Sequence, residues 1–151
     1  MQDSGLPEPV RAAWFDLIRV MTQLPAALDR QLQADAGITC VEFYVLEHLA
    51  GSPDQTARLS SIARLANTTL SRMSHVSSRL EADGLLTRAT DPDDRRATLA
   101  TLTDAGQALL TRAGPAHWRF VQTELLGQMN ASDLQALARI STALLQPLQQ
   151  T

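Results

Sequence analysis

Two short helical patterns almost touch within residues 59–103, and this arrangement constrains the fold more than any other part of the chain. The apolar residues of the first pattern recur at helical spacing and are Leu59, Ile62, Ala63 and Ala66. Those of the second pattern follow the same spacing and are Leu70, Met73, Val76, Ser77 and Leu80. Asn67 and Thr68 lie between them and are both good N-cap residues, so we predict that a new helix starts there. Gly84 is expected to end it in the left-handed conformation. Two helices joined by about three residues indicate a helix-turn-helix.

The periodicity changes to that of β-strands directly after the second helix. Residues 85–88 form a short apolar-to-polar run, and residues 97–102 alternate with period two. The sequence DPDDRR at residues 91–96 has the composition of a turn, which predicts a hairpin with Arg95 and Arg96 at its tip. Residues 56–58 are expected to add a very short third strand. The order of elements is that of a winged helix-turn-helix, in which exposed wing arginines suit the DNA minor groove.

The polar face of the second helix has chemistry suited to reading DNA. The predicted contacts to the major groove or its phosphates are Thr68, Thr69, Ser71, Arg72 and His75. Hydroxyl and guanidinium groups near a helix N-terminus bind phosphates and base edges. Arg95 and Arg96 are predicted to engage the minor groove, with Asp94 orienting Arg96 through a charge-assisted bond. The alternative, a merely solvated polar face, is disfavoured by the arginine-bearing hairpin that follows.

These residues resemble a known family. The resemblance rests on Leu80-Glu81-x-x-Gly84-Leu85-Leu86-x-Arg88, then Asp91-Pro92-x-Asp94-Arg95-Arg96, then Leu102-Thr103-x-x-Gly106. Their order and spacing resemble the signature of the multiple-antibiotic-resistance regulator (MarR) family, whose architecture covers nearly the whole chain. Residues 65–76 are similar to a subgroup common in high-GC bacteria.

The distribution of charge agrees with a DNA-binding lobe although the chain is acidic overall. The net charge is −3, whereas residues 56–100 hold seven arginines against five acidic residues, a net charge of +2. The single cysteine excludes an internal disulfide. The sequence has no apolar run of membrane-spanning length and no signal-peptide pattern, so we expect a cytoplasmic protein without a membrane partner.

Amphipathic helices are predicted on both sides of the DNA module. Residues 7–35 form the first, which Pro25 should kink or locally break, and Thr39 is expected to cap a second at residues 40–50. After the wing, Thr103 is expected to cap a long helix that is kinked at Pro115, two separate helices being the alternative. Ser132 is expected to cap a final helix that reaches about residue 148.

The small module cannot bury the apolar faces of all these helices. The economical solution is a homodimer with interlocked terminal helices, and the resemblance implies the same arrangement. A two-fold dimer also presents two reading helices to the half-sites of a pseudo-palindromic operator in double-stranded DNA. We therefore predict a mainly α fold with a small β-wing in one domain, residues 1–151. The DNA-binding lobe would comprise about residues 55–103, and the dimerisation helices about residues 7–35 and 104–148.

The resemblance further implies a small-molecule effector, because relatives often bind phenolic or other aromatic anions where the dimer helices meet the DNA lobe. The residues predicted to line such a pocket are Trp14, Met21, Tyr44, His48, His117 and Trp118. The alternative is that methionines and aromatic residues at helical spacing are ordinary core residues. Cys40 lies in the first turn of a helix, where the dipole favours thiolate, so thiol-based redox sensing is a further alternative.

Enzymatic chemistry has no support in the sequence. The histidines have no metal-ligand spacing, and no nucleophile elbow, phosphate loop or paired-carboxylate motif is present, so no metal, cofactor or catalytic residue is predicted. The sequence predicts a DNA-binding transcription regulator, and the resemblance implies that it is a ligand-responsive homodimeric repressor released by an aromatic or phenolic effector. The alternatives are a winged-helix module for protein–protein contact and the Cys40 redox sensor.

Overall fold

A computed structural model describes residues 5–148 and confirms a mainly helical fold with a small β-wing. The elements in chain order are α1 (Glu8–Ala36), α2 (Cys40–Ala50), β1 (Thr56–Arg58), α3 (Leu59–Leu65), α4 (Leu70–Ala82), β2 (Leu86–Asp91), β3 (Asp94–Leu102), α5 (Asp104–Phe120) and α6 (Ala131–Leu148). A π-helical turn (Val121–Leu125) follows α5. The chain forms two compact units that divide at Gly114 and Pro115. The assignment of all residues to one regulator domain stays a prediction.

The core of the first unit lies between α2, the helix-turn-helix and a three-stranded antiparallel sheet of order β1-β3-β2. Phe43 and Leu46 of α2 are fully buried, as are Met73 and Leu80 of α4. The predicted alternation of β3 is confirmed, since Ala100 and Leu102 turn into the core. Burial of each large apolar side chain stabilises the fold by roughly 1.5–3 kcal/mol.

The helix-turn-helix is present, but its second helix is capped one residue later than predicted. Asn67 has a φ of 47°, and the N–H of Thr68 donates to the carbonyl oxygen of Ala63 at 2.9 Å, which closes a Schellman motif at the end of α3. Asn67 and Thr68 are therefore part of the C-terminus of α3. Thr69 is the N-cap of α4, because its hydroxyl oxygen accepts from the N–H of Arg72 at 3.2 Å.

The predicted end of α4 at Gly84 and the predicted cap of α5 at Thr103 are confirmed. A hydrogen bond connects these two residues. Gly84 follows α4 with a φ of 72°, which is unstrained only for glycine. The Thr103 hydroxyl oxygen accepts from the N–H of Gly106 at 3.1 Å and donates to the carbonyl oxygen of Gly84 at 2.7 Å. A Cβ on Gly106 would lie 2.2 Å from the carbonyl oxygen of Leu85, so only glycine lets α5 approach the chain after α4 this closely.

Gly106→Ala is therefore expected to lower the free energy of unfolding by about 1–3 kcal/mol, because the clash is with backbone rather than with a flexible side chain. Gly51→Ala is the matched control, since a Cβ there would meet carbonyl oxygens only at 3.7 Å and beyond. Urea denaturation of both variants measures the difference. Equal midpoints for the two variants would contradict this explanation of the glycine.

Both prolines lie inside continuous helices, and one predicted cap needs correction. α1 runs through Pro25 without a break, and α5 runs through Pro115 as the one long helix that was predicted, not as the two helices of the alternative. A proline removes one backbone donor, and the many remaining bonds of a long helix bridge that loss. The cap of α6 is Asn130, not Ser132, because Asn130 and Asp133 each accept the other's backbone N–H at 3.0 Å. The cap predicted at Thr39 is confirmed, with Glu42 completing a capping box.

The terminal helices carry large apolar faces that are exposed among the described residues 5–148. In α1 only Leu28 and Leu32 are buried, whereas Val10, Trp14 and Met21 on the same stripe are each at least half exposed. No described residue of α6 is buried. The exposed apolar residues of α6 are Leu134, Leu137, Ile140, Leu144, Leu145 and Leu148. Such patches are rare on soluble monomers.

Candidate nucleic-acid interface and effector cavity

Helix α4 presents a polar face opposite its buried stripe of Met73, Ser77 and Leu80. Ser71 and His75 are exposed and lie one turn apart on the outward face, since residues four apart in a helix are neighbours. Arg72 is also exposed, but it lies on the flank of α4 that faces α2. The structure thus brings the predicted side chains of α4 to one side of the lobe, with Arg72 at its border.

The two threonines before α4 are placed differently from each other. Thr69 is exposed, and as the N-cap its hydroxyl keeps a proton to donate outward. Thr68 is half-buried, and its backbone N–H is used in closing α3. The positive end of the α4 dipole lies beside these hydroxyl groups and favours an anion such as a phosphate.

The wing is the hairpin of β2 and β3, whose turn is closed by the pairing of Asp91 with Asp94. Arg95 and Arg96 are exposed at the start of β3, directly after the turn. The bond between Asp94 and Arg96 involves the backbone of Arg96 and not its guanidinium group. The Asp94 carboxylate accepts from the backbone N–H of Arg96 at 3.1 Å, because a side chain two residues earlier reaches the amide of a tight turn readily. Both guanidinium groups form no ion pair with any residue that the structure describes.

Between α4 and the wing lies a groove of about 270 Å³. Its polar lining residues come from α3, α4 and β3 and are Ser60, Ser74, Asp94, Arg96 and Thr98. Hydroxyl groups together with an arginine suit the sugar-phosphate backbone of DNA. Because Ser74 and Arg96 both line it, the groove connects α4 with the start of the wing strand β3.

Two ion pairs that the sequence did not reveal hold the wing in place. The guanidinium of Arg58 on β1 donates to the buried carboxylate of Asp91 at 2.7 Å, and the backbone N–H of Asp93 donates to the same carboxylate at 2.9 Å. Arg88 on β2 donates three hydrogen bonds, one from its backbone, to the carboxylate of Glu81 on α4. The Arg88 contacts lower the pKa of Glu81 below its ordinary value. Both carboxylates belong to the motif residues that resemble the family signature, but their arginine partners could not be paired from spacing alone.

The Asp93 backbone N–H and the Arg58 guanidinium hold the pKa of Asp91 below its ordinary value, against the opposing effect of burial. Because the folded-state pKa is depressed, this contact stabilises the wing above the unfolded-state pKa of about 3.9 and is lost as the pH falls through the lower folded-state value. A carbon-13 NMR titration of the Asp91 carboxyl should therefore have its midpoint below about 3.9. Arg58→Gln is expected to raise that midpoint, and Arg19→Gln, which removes a surface pair on α1, should leave it unchanged. If Arg58→Gln leaves the midpoint unchanged, Arg58 does not contribute to the lowered pKa of Asp91.

A second cavity, of about 480 Å³, lies beside α4, and we refer to it as the effector cavity because it is the candidate site for a small molecule. Its lining residues from α1, α2, α3 and α4 are Pro25, Asp29, Cys40, Val41, Tyr44, Val45, His48, Ile62, Leu65, Ala66 and Arg72. Cys40, Tyr44 and His48 follow each other at intervals of four residues, so α2 turns one stripe toward the cavity. Its volume is within the range of small-molecule sites, about 300–1,000 Å³.

Two of the six residues predicted to line an effector pocket, Tyr44 and His48, line this cavity. Trp14 and Met21 lie nearer the start of α1, are exposed and do not line it. His117 and Trp118 belong to the second unit, where their rings meet edge to face with centroids 5.1 Å apart. Burial lowers the pKa of His117, which favours its neutral form. The cavity is also lined by Asp29, Cys40 and Arg72, which periodicity alone did not assign to it.

Cys40 is not the activated thiol that its place in the first turn of α2 suggested. Burial and the nearby carboxylate of Asp29 raise the pKa of the Cys40 thiol to about 11. The backbone N–H of Cys40 donates to that carboxylate at 2.7 Å, which fixes Asp29 beside the sulfur. Desolvation and a neighbouring negative charge therefore outweigh the helix dipole, and the thiol is neutral at pH 7.

Cys40→Ser is accordingly expected to leave any release of DNA by oxidants unaltered. The measurement is a DNA-binding titration of wild type and variant before and after treatment with hydrogen peroxide. An oxidant response that is present in the wild type and absent from Cys40→Ser would instead establish thiol sensing.

Comparison with known proteins agrees with this geometry. The model of the MarR family matches residues 38–98. A MarR family transcriptional regulator from Streptomyces coelicolor, solved in complex with DNA, is 34% identical, with a TM-score of 0.91 over 98% of this chain and 92% of that one. AbsC, a MarR family regulator from the same organism, is 26% identical, with a TM-score of 0.90 over 99% of this chain and 100% of that one.

Bordetella bronchiseptica BpsR, whose DNA binding is regulated by 6-hydroxynicotinic acid, is 27% identical, with a TM-score of 0.74 over 85% of this chain and 90% of that one. No curated protein matches the chain in sequence. These matched families and structures are transcription regulators rather than enzymes. Within residues 5–148, no group of three or more acidic, histidine or cysteine side chains is arranged to hold a metal ion. None of the helices described is both long and apolar enough to cross a membrane.

Proposed function

The chain belongs to the MarR family of transcription regulators, and we propose that it acts as a homodimeric DNA-binding repressor that a small aromatic effector releases. The observation that carries the proposal is the continuous surface of α4, the groove and the wing, on which hydroxyl groups and unpaired arginines converge. The relative that is 34% identical over 98% of this chain binds DNA, which supports the same activity here.

On this surface, α4 would enter the major groove. Ser71 and His75 on its outward face, with Arg72 at its border, would contact base edges and phosphates, and the hydroxyls of Thr68 and Thr69 would contact phosphates. Arg95 and Arg96 would reach the adjacent minor groove, whose negative potential favours arginine. The Arg58–Asp91 and Glu81–Arg88 pairs would hold the wing against the helix-turn-helix, so that both contacts are made in one register.

Dimerisation is supported by the uncovered apolar faces of α1 and α6. A helix without a buried residue gains nothing from its apolar face until a partner covers it. We propose that the terminal helices, α1 with α5 and α6, supply the dimer interface, and that residues 55–103 supply the DNA-binding lobe. A two-fold axis would then place two α4 helices at half-sites about 34–36 Å apart on a pseudo-palindromic operator.

Release by an effector is supported by the position of Arg72, which lies on the reading helix and also lines the effector cavity. A ligand that binds Arg72 would compete with DNA for the same guanidinium group, and reciprocal linkage requires that DNA then weaken the ligand. The regulation of BpsR by a small aromatic acid supports an effector of that size. The family relationship gives no reason to expect catalysis.

The test is a selection of bound sequences from random duplex DNA, followed by titration of the selected duplex and a scrambled one. A regulator of this kind is expected to select an inverted repeat and to bind it roughly 10³-fold or more tightly than the scrambled duplex. Selection of no sequence, with equal weak binding to both duplexes, would reject the proposal and favour a module for protein–protein contact.

A further inference from the structure

Charged groups of both signs line the effector cavity, on different elements. Pro25 and Asp29 lie one turn apart on α1, so the carboxylate of Asp29 is on the wall that α1 contributes. Arg72 comes from the start of α4. Most of the remaining lining residues are apolar or aromatic. A ligand in this cavity therefore meets a negative and a positive group at separate positions.

The Asp29 carboxylate is only partly satisfied. Its Oδ1 accepts from the backbone N–H of Cys40 at 2.7 Å, whereas Oδ2 has no hydrogen-bond partner among residues 5–148. Asp29 is half-buried. Removing a carboxylate oxygen from water without a partner is unfavourable, so a ligand that displaces water here must supply a donor. Cys40 supplies little, because a neutral thiol is a weak donor.

Arg72 is the complementary group. Its backbone N–H is used by the Thr69 cap, but its guanidinium forms no ion pair with any described residue, including Asp29. By contrast, Arg79, two turns later on the same flank, is paired with Glu42 at 3.3 Å. Arg72 is therefore the guanidinium on this flank that stays available, and its five donors fit a carboxylate.

We propose that the effector cavity binds a dipolar aromatic molecule, which carries an ammonium group for Asp29 and a carboxylate for Arg72 on opposite sides of an aromatic ring. The ring lies against Tyr44 and His48, and Tyr44 itself packs edge to face on the buried ring of Phe43 at 5.5 Å. This inference rests on the proposed function, because the effector site is the one described there. It differs in ligand charge from the simple aromatic anion that the family resemblance implied.

The physical argument is one of selectivity. A simple aromatic anion satisfies Arg72 but brings its apolar or anionic parts against the unpartnered oxygen of Asp29. A simple aromatic cation satisfies Asp29 and leaves Arg72 free for DNA. Only a ligand with both charges satisfies both Asp29 and Arg72. A site discriminates between ligands more strongly through a polar group left unpaired than through apolar contact.

The experiment is isothermal titration calorimetry of the full chain, without DNA, using three probes: 4-(aminomethyl)benzoate, benzoate and benzylammonium. The dipolar probe is expected to bind about tenfold or more tightly than either singly charged probe, as one charged hydrogen bond contributes about that factor. Equal or tighter binding of benzoate would overturn the proposal, and so would the absence of binding by all three probes.

Asp29→Asn tests the role of Asp29, since the amide keeps an oxygen to accept from the N–H of Cys40 but loses the charge. It should abolish the preference for the dipolar probe over benzoate. Asp16→Asn is the matched control, because it removes the same charge from an exposed position on α1 outside the cavity and should preserve the preference. An unchanged preference in Asp29→Asn would overturn the assignment, and if that variant does not fold, the probe ranking of the wild type decides.

Failure of this inference and failure of the proposed function are distinguishable. Affinity of the wild-type protein for the selected duplex is measured without any probe. A protein that binds its operator but prefers benzoate retains the proposed function and loses the dipolar ligand. A protein that binds the dipolar probe but no DNA retains the dipolar ligand and loses the proposed function.

Discussion

Leu137→Asp on α6 is expected to weaken the proposed dimer about a hundredfold or more. Leu137 is one of six large apolar residues that are exposed on this helix in the single chain. Covering such a side chain contributes roughly 1.5–3 kcal/mol, and two-fold symmetry places the substitution in the interface twice. Since about 1.4 kcal/mol is a factor of ten, the two losses together give at least the stated change. Sedimentation velocity over a range of protein concentrations measures it.

Gln135→Asp is the matched control on the same helix, because residue 135 lies on the side of α6 opposite the leucine stripe. It introduces the same charge and should leave the dimer intact. Circular dichroism must show equal helix content in both variants. Deletion of residues 132–151 is expected to give aggregated or monomeric, poorly folded protein, and a well-folded dimer from that truncation would contradict the proposed interface.

The helix-turn-helix and the wing were predictable because their signals are local. The change of period after Gly84 marks the boundary between helix and strand, and the alternation in β3 fixes which face is buried. The exact cap of α4 was not predictable, because Asn67, Thr68 and Thr69 are all good N-cap residues. Two hydrogen bonds that close α3 decided it, and they use the first two of these residues.

Contacts between distant residues explain most of what the sequence did not predict at the site. Arg58 and Asp91 are 33 residues apart, and only the pairing of β1 and β2 with β3 brings them together. Asp29 and Cys40 are 11 residues apart on different helices. Burial of the thiol, together with the Asp29 carboxylate, raises the Cys40 pKa, whereas the helix dipole alone had led us to expect a lowered one. Helix periodicity correctly indicated that Tyr44 and His48 share a face, but it carried no information on the groups across the cavity.

Arg96→Ala and Arg72→Ala are expected to weaken DNA binding in different ways. Arg96 lies in the groove beside the wing and forms no ion pair with a described residue, so it is free for a phosphate or a narrow minor groove. Its loss should weaken binding to operator and scrambled duplexes alike and lower the salt slope by about one unit. Arg72 lies on the reading helix and can form a bidentate contact to guanine. Its loss should cost about 1–3 kcal/mol and mostly relax the preference at one base position.

Lysine substitutions separate charge from geometry at the same two positions. Arg96→Lys should retain most of the affinity for both duplexes, since a phosphate accepts either cation, whereas Arg72→Lys should lose base preference almost as Arg72→Ala does, because lysine cannot form the bidentate contact. Arg30→Ala removes an exposed arginine of α1 and controls for net charge.

All variants are titrated against operator and scrambled duplexes over a range of salt. If Arg72→Ala weakens both duplexes equally while Arg96→Ala changes neither, the two roles are wrongly assigned. If neither substitution changes either titration, this surface does not bind DNA, and contact with another protein becomes the better explanation of the winged helix.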